Sequence, residues 1–237
     1  MGTILTINTL NEFPKKIDTT IVGREENTIE GLKTPAETKF FKSTKKDLIV
    51  KNYETFQIEH YQRFSVEGKL GTKEFNTIMR LYKFSVFKPS KNDNYIYTFG
   101  GHKADNTHSA LSRLSKKTGI KSTPLTVNLI DTVEKILKYA PDIRITSGWF
   151  SNLGLTNLNN VLLQGDQVNL GPEWEKFKKT KGAALSNIEL LIDDSEFPDG
   201  YIKVSLSQRG VIFCRRKLSA EKTLEIANKV QKILNRK

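Results

Sequence analysis

Two histidines near the middle of the chain are the residues best suited to acid–base chemistry. His102 and His108 lie six positions apart, with Lys103 and Arg113 nearby. Imidazole groups donate and accept protons near neutral pH, so such a pair can cleave RNA without a metal ion. The alternative, which the sequence favours, is that both are ordinary loop and helix-start residues. A small metal-independent nuclease or toxin is therefore our second hypothesis.

The other candidates for chemistry have structural explanations. The densest acidic cluster consists of Asp193, Asp194, Glu196 and Asp199. These residues follow one another in a single stretch that ends in Asp-Gly, a common turn sequence, whereas a metal site needs carboxylates from several elements. Cys214 is the only cysteine, and its apolar neighbours predict a buried side chain. We expect no zinc site, no other metal site and no cofactor, because the histidines and Cys214 lack the spacing of zinc ligands.

Basic side chains are the strongest functional signal. The formal net charge is +12, and residues 41–120 carry 15 basic and 7 acidic side chains. Residues 215–237 carry 8 basic and 2 acidic side chains, whereas residues 183–214 carry 2 and 5. Segregated positive charge is typical of proteins that bind a polyanion. The alternative is a protein whose lysines only maintain solubility.

Two predicted helices position most of these cations. In the last helix, Ile226, Val230 and Ile233 form a buried stripe, and basic residues recur at intervals of seven on the opposite side. Such a stripe neutralises phosphates without reading the base sequence. The predicted phosphate contacts are Lys116, Lys117, Arg215, Arg216, Lys217, Lys222, Lys229, Lys232 and Arg236. The alternative is a solvated helix face with ordinary lysine density.

The elements that carry these residues predict an α+β fold. Period-two alternation predicts strands at 56–66, 77–87 and 201–206, and short runs of β-branched, aromatic and other apolar residues predict strands at 95–99, 187–192 and 211–214. Helical periodicity predicts helices at 107–118, 129–140 and from Ser219 onward, with Asn128 and Ser219 as N-caps. Gly68–Gly71 is predicted to turn between the first two strands. We expect antiparallel β-meanders covered by two or three helices, with a C-terminal β-β-α unit.

Composition shifts divide the chain into three segments. Residues 3–7 are a candidate strand, and the rest of residues 1–46, with Pro and Gly among charges, predicts an N-terminal arm or loops. Residues 47–120 predict a β-rich unit plus a helix. Residues 121–237 predict a helix, a mixed region and the β-hairpin-helix unit. The alternative is one continuous domain.

The predicted location is the cytoplasm. No run of about 18 apolar residues could form a membrane span, so we expect no membrane partner. The N-terminus lacks the pattern of a secretory signal, and a single cysteine suits a reducing compartment.

The leading functional hypothesis is a non-enzymatic, cytosolic basic protein that associates with DNA or RNA through phosphate contacts. The Lys- and Asn-rich composition suits an accessory or regulatory protein of a bacterium or phage. A third hypothesis is a protein-interaction module without a nucleic-acid role, whose partner would be an acidic protein.

Overall fold

Antiparallel strand pairing dominates the structure, a computed structural model that describes residues 2–14, 17, 19–29, 32–91, 94–100 and 104–236. Within these residues the strands are β1 (Thr3–Glu12), β2 (Thr19–Ile29), β3 (Leu32–Lys42), β4 (Tyr53–Leu70), β5 (Lys73–Pro89), β6 (Tyr95–Phe99), β7 (Lys121–Pro124), β8 (Ile143–Ser151), β9 (Val161–Gln164), β10 (Ala184–Asp193), β11 (Tyr201–Ser207) and β12 (Val211–Cys214). The helices are α1 (Ala104–Thr118), α2 (Leu129–Tyr139), α3 (Pro172–Lys178) and α4 (Ala220–Leu234). The predicted α+β class and the C-terminal β-β-α unit are confirmed. No helix in these described ranges is long and apolar enough to cross a membrane.

The chain divides into two compact units. The amino-terminal unit is Asn8–Pro124, and the carboxy-terminal unit is Met1–Ile7 with Leu125–Lys237. Strand β1 contributes to each: residues 3–6 pair with β12, and residues 8–12 pair with β7.

The amino-terminal unit packs α1 against one face of its sheet. The strand order is β2-β3-β4-β5-β6-β1, with β7 on β1. Alternate residues in the first half of β4 and the second half of β5 pack against α1, as the alternation predicts. The core includes Phe56, Ile58, Phe84 and Val86 from these strands, and Ala110, Leu111 and Leu114 from α1. Helix α1 begins at Ala104, three residues before its predicted start.

Strand β1 covers the candidate strand at residues 3–7, whereas β2 and β3 stand where we expected an arm or loops. Strands β2 and β3 form an antiparallel hairpin, and β3 pairs with β4 from Thr38 onward. Pro35 lies in β3 before that pairing begins, so its missing N–H removes no bond to β4. Backbone hydrogen bonds to neighbouring strands therefore make this polar segment a β-hairpin, although its local sequence has only a weak strand pattern.

The predicted turn at Gly68–Gly71 is also wrong in part. Strand β4 continues past Gly68 to Leu70, the chain reverses at Gly71 and Thr72, and β5 begins at Lys73. Gly68 pairs with Phe75, whose ring covers the glycine so closely that a Cβ would lie 2.4 Å from its Cζ. Gly68 is therefore a strand residue whose missing side chain leaves room for the Phe75 ring, and a larger residue would displace that ring.

The carboxy-terminal unit has the strand order β1-β12-β11-β10-β8-β9. Helix α2 contacts β8, β10 and α4. Both predicted N-caps are confirmed, since Asn128 Oδ1 accepts from the Asp131 amide at 3.2 Å and Ser219 Oγ accepts from the Lys222 amide at 3.1 Å. These caps fix where the two helices begin relative to the sheet.

Helix α3 seals the end of β8 on the same side as α2. The Trp174 ring packs on Gly148, where a Cβ would lie 2.2 Å from Cζ3. Trp174 also meets Phe150 edge-on, with ring centroids 5.0 Å apart. Trp149, between these two positions of β8, therefore points to the opposite face.

A buried histidine links three elements of the amino-terminal unit. His60 is fully buried, and its Nδ1 lies 2.8 Å from Thr38 Oγ1. Arg113 Nη1 donates to Thr38 Oγ1 at 3.1 Å and to the Ala36 carbonyl at 2.7 Å. While it accepts from Arg113, the Thr38 hydroxyl can still donate its own proton to His60 Nδ1. Burial, and secondly the Arg113 charge, lower the pKa of His60 to about 4.

We expect His60 to destabilise the protein in acid. The unfolded chain binds this proton near pH 6.5, and the folded protein only near pH 4. Stability should therefore fall as the pH drops from about 6.5 to 4, by about 3 kcal/mol from this group. Urea unfolding at pH 7 and pH 4.5 should show a larger loss for the wild type than for His60→Gln. Equal losses would contradict the buried neutral imidazole.

Candidate nucleic-acid interface

One face of the carboxy-terminal sheet is sealed by helices and the other is open to solvent. In β11, Ile202, Val204 and Leu206 are buried. The alternate residues Lys203 and Ser205 point the other way, and Lys203 is exposed. We call this second side the outer face, and functional side chains of the sheet can contact a ligand only there.

A cavity of about 340 Å³ lies on the outer face, beside β11 and β12. Its lining residues are Gln164, Glu189, Asp199, Tyr201, Lys203, Ser205, Phe213, Cys214, Arg215 and Arg216. Two of the predicted phosphate contacts, Arg215 and Arg216, are thus brought beside two aromatic rings. The volume is in the range of pockets that hold small organic groups.

Most charges in the cavity are already balanced by a neighbour. Arg216 binds the Asp199 carboxylate. Lys203 Nζ lies 3.7 Å from Glu189 Oε1, which also accepts from Thr146 Oγ1 at 2.8 Å. Arg215 is exposed and has no carboxylate partner in the part of the chain that the structure describes. Within the described part of the chain, the Arg215 guanidinium can therefore bind an anion without first losing an ion pair.

Aromatic side chains extend from the cavity along the outer face. Phe213 is 37% exposed, and direct pairing places it beside Ser205. Trp149 is 42% exposed and pairs with Leu162, which is 50% exposed. Counting strands and residues from Phe213 to Trp149 separates the two rings by about 15 Å. This grouping was not predicted, because these rings lie on strands far apart in the chain.

Lys222 is held by carboxylates rather than facing solvent. Its Nζ lies 2.7 Å from Asp194, 3.0 Å from Glu196 and 3.1 Å from Glu225, and the side chain is 11% exposed. Burial alone would lower the pKa of Lys222, but hydrogen bonds to these carboxylates outweigh burial and raise it. Burial alone would raise the pKa of Asp194, but the hydrogen bond from Lys222 and the neighbouring amide lower it. This ion-pair group ties α4 to the β10–β11 turn.

The acidic cluster forms that turn. The Asp194 amide donates to the Gly200 carbonyl at 2.9 Å, and Asp194 Oδ1 accepts from the Glu196 amide at 3.1 Å. Among the described residues, no group of three or more His, Cys, Asp or Glu side chains converges as metal ligands do. The carboxylates of the turn serve Lys222 and Arg216 instead.

The other predicted cations of the carboxy-terminal unit differ in their surroundings. Lys229 binds the Asp142 carboxylate. The Arg236 guanidinium lies 5.1 Å from the Tyr139 ring centroid. Lys217 and Lys232 are exposed and form no ion pair within the described residues. Only part of the predicted stripe is therefore available to phosphates.

In the amino-terminal unit, Lys116 and Lys117 are exposed in the last turn of α1. A second group of exposed lysines was not predicted as a site, because its members are scattered along the chain. The basal lysines, as we name them, are Lys42, Lys45, Lys46, Lys51 and Lys91. All are exposed, and none forms an ion pair with a described residue. The Ser90 amide bonds the Asn52 carbonyl at 2.8 Å, which brings their two connecting segments to one end of the sheet.

The predicted acid–base pair is described only in part. His102 lies outside the described residues. His108 lies in the second turn of α1 and is half-buried. Cys214 is 2% exposed, and burial raises the pKa of its thiol, so the thiolate form is disfavoured.

We expect Lys222 to stabilise the fold. Lys222→Met leaves the Asp194 carboxylate, 12% exposed, without its closest cation, and should cost about 2 kcal/mol in the free energy of unfolding. Lys217→Met is the control, because this exposed lysine has no ion pair in the described structure; its effect should stay within about 0.5 kcal/mol. Urea unfolding of both variants measures the difference, and equal effects would contradict a structural role for Lys222.

No protein-family model and no curated protein matches this chain. An uncommitted guanidinium beside exposed rings is suited to a ligand that combines negative charge with flat apolar groups.

Proposed function

We propose that this protein associates with nucleic acid through phosphate contacts that do not depend on base sequence. The observation that carries the proposal is the outer-face cavity, where Arg215, which has no ion pair with any described residue, lies beside Tyr201 and Phe213. A guanidinium binds phosphate through planar, paired hydrogen bonds. The neighbouring rings offer flat surfaces to bases. Nucleic acids have both a phosphate and a flat base in every nucleotide, and few other biological polymers combine these two groups.

Unpaired cations elsewhere support the same ligand. Lys217 and Lys232 are exposed in the carboxy-terminal unit, and Arg236 lies against a ring rather than a carboxylate. Lys116, Lys117 and the basal lysines are exposed in the amino-terminal unit. Each such side chain can approach a phosphate without first breaking an internal ion pair. Arg216, Lys222 and Lys229 would have to break one, so we assign them a smaller share of the binding.

The proposed compartment is the cytoplasm. The single cysteine is buried in β12, which suits a chain that needs no disulfide.

Binding should weaken steeply with salt. A protein that contacts four phosphates loses about 100-fold in affinity between about 50 and 200 mM salt. Fluorescence anisotropy of a labelled oligonucleotide at both concentrations measures this loss. Replacing both Arg215 and Lys217 with Ala should reduce the slope of log affinity against log salt by about 2, since each removed contact contributes about 0.9.

A charge-matched variant separates specific contacts from net charge. Lys178 and Lys179 pair with Glu175 at 3.7 and 3.4 Å, so replacing both with Ala removes the same charge without removing an unpaired cation. This control should bind with nearly the wild-type slope. Equal slopes for the two double variants would contradict the role of Arg215 and Lys217. Absence of any binding at about 50 mM salt would overturn the proposed function and leave a protein partner as the alternative.

A further inference from the structure

Two aromatic rings on the outer face are exposed and free of ring partners. Neither Trp149 nor Phe213 makes a ring–ring or cation contact with any described residue. On the sealed face of the same strand, by contrast, Phe150 contacts both Trp174 and Phe177. Burying an unpaired ring of this size is favourable, so the outer face has stacking surfaces that the fold itself does not use.

The sheet holds both rings in place before any ligand binds. Trp149 lies within β8, which pairs with β10 on one side and β9 on the other. Phe213 lies in β12, and its ring rests against the backbone of Gly2, where a Cβ would lie 2.8 Å from Cε2. Rings fixed on a sheet lose little conformational entropy when a flat group stacks on them.

We infer that the ligand of the outer face is single-stranded nucleic acid, with unpaired bases stacked on Trp149 and Phe213 and a phosphate at Arg215. This inference rests on the proposed function and narrows its substrate class. Bases in a duplex are stacked on one another and paired, so their flat surfaces cannot reach a protein ring. Stacking on aromatic side chains beside a basic groove is how single strands are bound without sequence preference.

The positions of the three side chains suit a strand that crosses the sheet. Trp149 and Phe213 are separated by about 15 Å, and Arg215 follows Phe213 by two residues along the same edge of the cavity. Strand register places Arg215 beyond Phe213, on the side away from Trp149. A short single strand can therefore place bases at both rings, and its backbone reaches the guanidinium where it continues past Phe213. The charges of Glu189 and Asp199 are balanced by Lys203 and Arg216, which reduces their repulsion of the backbone.

The chain contains its own reporter for this contact. It has two tryptophans; Trp174 is 2% exposed and Trp149 is 42% exposed. Quenching of tryptophan fluorescence on addition of an oligothymidine should therefore report Trp149. We expect quenching that saturates together with the anisotropy signal. A duplex of the same length and an abasic strand should cause little quenching, because neither presents unpaired bases.

Variants of the rings test the contact independently. Trp149→Ala and Phe213→Ala should each weaken single-strand binding about tenfold. Trp149→Phe should keep most of the affinity while abolishing the quenching, which a merely structural role would not predict. Leu162→Ala, on the same face and equally exposed, should change affinity less than about threefold. Circular dichroism of each variant confirms that the sheet is intact.

The outcomes distinguish this inference from the proposed function. Salt-dependent binding that is equally tight for duplex and abasic strands, and unchanged in Trp149→Ala, would overturn the single-strand inference while supporting phosphate binding. Absence of binding to all three nucleic acids would overturn both. In that case the exposed Trp149 and Leu162 would be assigned to contact with a protein.

Discussion

The alternation of buried and exposed residues along the carboxy-terminal strands is the constraint on which the proposed interface depends. Ile202, Val204 and Leu206 must face the helices, because their burial provides much of the stabilising free energy of the sheet. Their neighbours are then fixed on the other side. A one-residue shift of register would bury Lys203 and expose the apolar residues, so the core and the outer face are specified together.

Internal ion pairing decides which cations can act on a ligand. The chain has 38 basic and 26 acidic side chains, and net charge alone suggests a uniformly attractive surface. The structure separates two classes instead. Lys222 and Lys229 are bound by carboxylates of their own unit, whereas Arg215 and the basal lysines form no ion pair with any residue that the structure describes. Exposed ion pairs contribute little to stability, but they do reduce the charge that is available to phosphates.

Much of the fold follows from local sequence, and much of the candidate site does not. Strand alternation and the caps at Asn128 and Ser219 are local features, and the structure confirms them. Strands β2 and β3 were missed because their pairing, rather than their apolar pattern, stabilises them. The Lys222 group was missed because Asp194 lies 28 positions away in the chain. Trp149 and Phe213 come together only through the strand order.

Mapping where nucleic acid contacts the protein tests most directly whether the outer face is the interface. Ultraviolet cross-linking of a bound oligothymidine, followed by mass spectrometry of the peptides, reports contacts at single residues. We expect cross-links at Trp149 and Phe213, and at Tyr201 in the cavity wall beside Phe213. Cross-links confined to α4, with none on strands β8, β11 or β12, would contradict the outer face as the interface.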